Sequence, residues 1–243
     1  SVNDALSQLN KYADKTIYSF SDMTSNIGRF TAAGVGLQDS VDAIQGLSNL
    51  AAASGSSTQQ ASGAMYQLSQ AISSGTVKLM DWNSVVNSGM GGTQFQEAQL
   101  RTARAHGVAV DDMIKKNGSF RDSLQEGWLI SDIMLESLRL MTDQVETLSD
   151  AQLKQMGYTK EDIKHIRDFA STAFDAATKF KTWTQVWDTT KESVGSGWAT
   201  TWQYLIGDFK QASELWTKVG NGITGFVSNI AEARNAYVKS FVD

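Results

Sequence analysis

Apolar residues recur at helical spacing through most of the chain. Leu37, Val41, Ile44, Leu47 and Ala51 are three or four apart, so a helix is expected from a cap at Asp39 or Ser40 to Ala53, with Ser54-Gly55-Ser56 ending it. Ala61, Ala64, Met65, Leu68, Ala71 and Ile72 then share one face of a second helix, capped by Ser57 or Thr58 and stopped at Gly75. The two helices read as an antiparallel hairpin. Small residues dominate the second face, which permits close approach but leaves the pair marginal without a third partner.

A short amphipathic piece from Leu79 to Val86 ends at Gly89-Met90-Gly91-Gly92, and a helix from about Thr93 to His106 follows. Beyond it, units of about 8 to 15 residues are punctuated by Gly107, Gly118, Gly127 and Gly157, a pattern that suits a globule of short helices. Two helix starts are explicit. Ser149 with Gln152, and Thr159 with Asp162, have capping-box spacing. From Ile163 the seam lengthens through Ile166, Ala170, Ala173, Ala177 and Phe180 in alternating threes and fours, as in a coiled-coil helix long enough to project. Ile223, Phe226, Ile230, Tyr237 and Phe241 mark a last helical face. No strand-like alternation and no strict repeat stands out. The fold class expected is all-α, without significant β-sheet, in three segments: 1–92 with the hairpin, 93–158 with the short helices, and 159–243 with longer Trp-rich helices.

Composition supports this picture. With 41% hydrophobic and 19% charged residues, the 243-residue chain can bury a core. It contains no proline, where an ordinary composition predicts about 12. Long uninterrupted helices follow from that absence, because proline is the residue that breaks them. No cysteine is present, which excludes disulfides, thiolate metal sites and cysteine nucleophiles. A net charge of -5 opposes binding to nucleic acid, and no sequence-specific nucleic-acid contact is expected. From Ala43 to Val77 no side chain is charged, yet Ser, Gln, Thr and Gly interrupt the apolar residues too often for a membrane span. Ser1 is not an initiator Met and no leader follows it, so the chain is read as an excerpt of a longer polypeptide.

Candidate chemistry is sparse. His165 lies near Glu161, Asp162 and Asp168 on one helical stretch, but Lys160, Lys164 and Arg167 are interleaved with them, which describes a solvated, salt-bridged surface better than a ligand set. His106 before Gly107 reads as a last-turn residue favoured by the helix dipole. The Gly89–Gly92 run has no preceding strand and no Gly-Lys-Ser/Thr, so it reads as a turn and not a phosphate loop. Glu136-Ser137 is a dipeptide also found at the acid of wall-cleaving transglycosylases, but no supporting motif accompanies it. No catalytic, cofactor-binding or metal site is assigned. The most unusual feature is a run of five tryptophans, Trp183, Trp187, Trp198, Trp202 and Trp216, which fall within about 100° of arc if one helix carries them. Core packing is the default reading of that stripe, with a partner-contact face or an interfacial membrane anchor as alternatives.

Three passages resemble the tape measure proteins of tailed bacteriophages. The first runs from Ala43 through Met65 and on from Tyr66 to Gly92, and its second part is the more specific, reading Tyr66-Gln67-Leu68-Ser69-Gln70-Ala71-Ile72-Ser73-Ser74-Gly75 and Val77-Lys78-Leu79-Met80-Asp81-Trp82-Asn83-Ser84-Val85-Val86-Asn87. The second is Gly118-Ser119-Phe120-Arg121 with Leu124 to Leu129, including Glu126-Gly127-Trp128. The third is Gly195-Ser196-Gly197-Trp198 through Trp202, with Gly207-Asp208-Phe209 to Trp216. The resemblance covers about Lys15 to Phe226, in the form found in phages and prophages of Gram-positive bacteria. It implies a non-enzymatic role, with no cofactor, in the lumen of the virion tail and in the host cytoplasm during assembly. The family sets tail length and leaves at genome ejection. The partners it implies are tail tube and tail-tip proteins, tail assembly chaperones and further copies of the chain. Family members carry an extended helical ruler, whereas this piece has too many turns to be the ruler itself. A membrane-active helical protein contributing to a DNA-entry channel is the alternative reading, and a peptidoglycan hydrolase using Glu136 is a third.

Overall fold

One helix, α3 (Leu37–Ser54), organises the molecule: every residue from Ser40 to Ala52 is buried. A helix buried all round must be covered on several sides, and α3 packs against α1 (Val2–Lys15), α2 (Phe20–Ala32), α4 (Thr58–Ser73), α9 (Ser131–Arg139) and α11 (Lys160–Ser193). The hairpin of α3 and α4 thus has several further partners. The computed structural model describes residues 2–16 and 20–193, and side-chain environments for residues 2–14, 16 and 23–178. These belong to one compact unit, Ser1–Ser193.

Between α4 and α9 lie α5 (Leu79–Asn87), α6 (Thr93–Ala105), α7 (Val110–Asn117) and α8 (Phe120–Ser123); α10 (Asp150–Gln155) precedes α11. Short 3-10 turns occupy Leu124–Glu126 and Asp143–Thr147. The all-α class holds: among the described residues there is no strand, only an isolated antiparallel bridge between Thr76 and Ile130. That bridge is useful. With Val77 N–H donating to the Leu129 carbonyl at 2.8 Å and Ser131 N–H to Gly75 at 3.1 Å, it ties the α4–α5 turn to the start of α9.

Local signals set most boundaries. Ser57 caps α4 in a capping box with Gln60, and Ser149 caps α10 with Gln152. Thr159 and Asp162 exchange the equivalent bonds at the head of α11, at 3.0 and 3.1 Å. One cap differs from expectation. Helix α3 begins at Leu37 after Gly36, with no side-chain cap, and Ser40 lies inside it, donating back to the Gly36 carbonyl at 2.8 Å. Helices α1 and α2 lie outside the elements that the apolar pattern predicts. Each buries a short seam, Ala5, Leu9 and Tyr12 in α1 and Met23, Ile27 and Phe30 in α2.

The principal core draws on residues from Ala5 to Met141, with Phe169 and Phe174 packed against it. A second core joins Leu140, Val145, Leu153, Tyr158, Ile163, Ile166 and Ala170. Hence the segments 1–92 and 93–158, together with the described part of 159–243, share their cores. The α11 seam from Ile163 to Ala177 is buried within this unit, and its alanines admit α3 at close range. Phe180 lies outside the described side chains. Helices α3 and α9 cross closely at Gly46: a Cβ there would overlap the backbone carbonyl of Leu138 on α9. Only glycine permits that approach.

Candidate functional site

The passage that carries the strongest resemblance, Tyr66 to Asn87, forms the second half of α4, the Gly75 turn and all of α5. Its residues divide into two sets. Leu68, Ala71, Ile72, Val77, Trp82 and Val85 are buried, whereas Tyr66, Leu79, Met80 and Val86 are exposed. Arg29 of α2 lies over the Tyr66 ring at 5.3 Å, a cation–π contact at the surface. Asp81 accepts from the Lys78 backbone N–H at 2.8 Å and so closes the start of α5.

Trp82 is the inward anchor. Its ring stacks on Phe95 at 5.3 Å and meets Phe120 at 4.8 Å, and Phe120 meets Trp128 edge-on at 5.5 Å. Phe120 and Trp128 come from the second resembling passage, so two passages separated by about 30 residues meet in one aromatic cluster. Polar bonds fix the geometry around it. The Trp128 indole N–H donates to Ser123 Oγ at 3.0 Å, and Ser119 caps α8 by accepting from Asp122 N–H. Glu126 accepts from Lys116 at 2.8 Å and from Asn117 at 3.0 Å, holding the Gly127 turn against α7. Such rings bury large apolar areas, and their mutual geometry adds about 0.5–1.5 kcal/mol per pair.

The titratable candidates are arranged as pins. Glu136 on α9 accepts from the Tyr158 hydroxyl at 2.5 Å through one oxygen and pairs with His106 Nε2 at 2.9 Å through the other. The Thr102 hydroxyl lies 3.1 Å from the same phenol oxygen and donates to it, since the one phenol proton goes to Glu136, so α6, α9 and the turn before α11 converge on one phenol. Burial pushes the Tyr158 hydroxyl far above its ordinary range, and the Glu136 carboxylate adds to the effect. His106 is the C-cap residue of α6, at the helix end as expected. Both Glu136 oxygens are engaged within the fold.

His165 is half exposed and sits 3.8 Å from Glu161, while Asp162 turns to cap Thr159 and to face Arg101 at 3.8 Å. Among the described residues no three His, Asp or Glu side chains come together as a metal-binding group. In the glycine run, Met90 is fully buried, and the Gly89 and Met90 N–H groups donate to Val86 and Val85 of their own helix. Those donors are therefore committed to ending α5. Trp183 and Trp187 lie on the α11 backbone with side chains outside the described set, and Trp198, Trp202 and Trp216 lie outside the described residues, as does the third resembling passage. Among the described residues no helix is long and apolar enough to cross a membrane.

Sequence reasoning missed a polar layer between α1 and α3. Asp42, 3% exposed, accepts from Gln38 at 2.9 Å and Gln8 at 3.2 Å, with Arg139 3.9 Å away. Burial raises its carboxyl above the usual carboxylate range, and the two amides and Arg139 offset part of that rise. Gln45 accepts from Gln8 at 3.0 Å. Asn49 accepts from the Tyr12 hydroxyl at 2.6 Å and donates to the Met141 carbonyl at 2.9 Å. The available signal was the four-then-three spacing of Ala5, Leu9 and Tyr12, which places Gln8 beside the seam.

No curated protein and no solved structure matches the chain. A family model described as tape measure protein matches residues 1–165, which include both passages that build the aromatic cluster and stop short of the third. The helical fold and that match agree: the chain belongs to the tape measure protein family, a family of structural components of the phage tail.

Proposed function

We propose that this unit is an organising domain of a tape measure protein, helping to arrange tail assembly and tail length and departing with the protein at genome ejection. It works in the tail lumen after assembly in the host cytoplasm, through tail tube and tail-tip proteins, assembly chaperones and further copies of itself. The observation that carries this reading is that the matched span, residues 1–165, holds all of the aromatic cluster and most of the residues that build both cores. Length measurement belongs to an extended helix at about 1.5 Å per residue. Here the longest described helix, α11, has 34 residues and commits its first half to packing within the unit, so this domain serves as a docking body and not as the ruler.

Chemistry is not part of the proposal. Glu136 acts as the acceptor that joins Tyr158 to His106. Counting peptides of this chain per tube subunit in gradient-purified tails tests the reading. A few copies per particle support it; absence from finished tails, with abundant protein in the lysate, overturns it.

A further inference from the structure

Two adjoining cavities, of about 400 and 350 Å³, share Asp143 and Phe174 in their linings and form one groove. The first lies among α1, α3, α11 and the Asp143–Thr147 turn, with Gln8, Tyr12, Gln45 and Gln144 in its wall; the second continues between that turn and α11. Each is of a size that holds part of a ligand. One wall group stands out. Gln45 is 2% exposed, and a relay fixes the direction of its amide: Gln38 donates to Gln8 Oε1 at 2.9 Å, so Gln8 presents its Nε2, which donates to Gln45 Oε1 at 3.0 Å. The two Gln45 N–H donors therefore lie on the side away from Gln8, and no described residue accepts from them. A donor on so buried a residue needs an acceptor, and the cavity that Gln45 lines is where one fits.

We infer that this groove binds an extended segment of a partner protein that carries lysine or arginine. The Gln45 amide requires an acceptor, which a peptide backbone supplies as its carbonyl. Charge selects the side chains. The carboxylates of Asp4, Asp143, Glu146, Asp168 and Asp175 line the two cavities, against Lys11 and Arg167. The Arg167 guanidinium is already held by Asp150 at 2.6 Å and by the carbonyls of Leu148 at 2.9 Å and Val145 at 3.1 Å. By contrast, the carboxylates of Asp143, Glu146 and Asp168 have no partner among the described residues. A concave lining of mostly one sign concentrates the opposite charge. Phe174, partly buried where the cavities join, offers its ring to the aliphatic stem of a basic side chain. A nucleic acid or an acidic peptide would instead bring like charge to these carboxylates.

The binding site goes beyond the tail assignment and stands without it. Its test is a titration of the full chain with acetyl-Ala-Arg-Ala-Lys-Ala-amide, followed by NMR through the side-chain amide signal of Gln45. The same peptide with Gln, or with Glu, in place of both basic residues is the control. The expected result at low ionic strength is a Kd below about 1 mM for the basic peptide, with a saturating shift of the Gln45 signal. The Gln control is expected to bind at least about three-fold more weakly, and the Glu control more weakly still. Asp143→Asn combined with Glu146→Gln is expected to weaken the basic peptide at least about three-fold, as the loss of two exposed ion pairs implies. Both positions are exposed and unpartnered, so the double variant keeps the fold. No binding below about 1 mM overturns the inference. So does a control that binds as tightly as the basic peptide, a Gln45 signal that does not move, or a double variant that binds as tightly as the native chain. Peptide counting in tails is a separate measurement, so failure of the groove and failure of the tail assignment are distinguishable.

Discussion

The layer around α3 and the corner around Trp82 make cores by opposite means. In the first, small side chains and a glycine bring helices together, and buried Asp42, Gln45 and Asn49 bond to residues of α1, α3 and the Met141 carbonyl. In the second, short elements that could not hold themselves together are fastened by Trp82, Phe95, Phe120 and Trp128. Hydrophobic area is non-directional and supplies energy; hydrogen bonds contribute less net energy but lose it sharply when misaligned. The aromatic corner therefore carries stability, and the α3 layer carries register.

Substitutions should separate the two. Trp82→Ala removes the ring shared by two partners and is expected to cost about 3–5 kcal/mol, read as a lower urea midpoint. Gly46→Ala comes next. Its methyl has only the Leu138 backbone to displace, so α9 must move, and a loss of about 2–3 kcal/mol is expected despite alanine's better helix propensity. Asn49→Ala should cost about 1–2 kcal/mol and loosen α1, seen as faster amide exchange at Leu9 and Tyr12 with α8 unchanged. If Asn49→Ala instead weakened both regions equally, the division of labour would be wrong.

The smallest effect is electrostatic. Because folding raises the Asp42 carboxyl, its favourable contribution is present below the unfolded-state value near 3.8 and is lost as pH rises through the folded one. Asp42→Asn is therefore expected to gain stability relative to the native chain at pH 7 and to lose that advantage toward pH 3. Paired urea titrations at the two pH values measure the difference. An advantage independent of pH would mean that Arg139 compensates the charge fully.

Periodicity made α3, α4, α5 and α6 legible, and hydroxyl-acceptor spacing located the two starts at Ser149 and Thr159, because both signals are local. It did not mark Asp42, Gln45 and Asn49 as buried. Polar residues on a helix read as solvent-facing unless their partners are known, and Gln8 and Tyr12 lie more than thirty residues away. The same limit hid the pairing of Glu136 with Tyr158 and the meeting of Trp82 with Phe120 and Trp128. Each passage could be recognised by itself; their convergence is a property of the folded chain. Helices α1 and α2 did carry an apolar seam, but only three residues long, set among polar residues without a clear cap.

The burial of α3 also has a consequence in time. Its cover includes α9 and α11, and α11 begins at Lys160, about 108 residues after Ala52 leaves the ribosome. At about 5–20 residues per second, the nascent α3 can pack against α1, α2 and then α4 but waits some 5–22 s for the start of its last cover. A protein made this way carries a partly covered central helix through every round of synthesis until the last cover is translated.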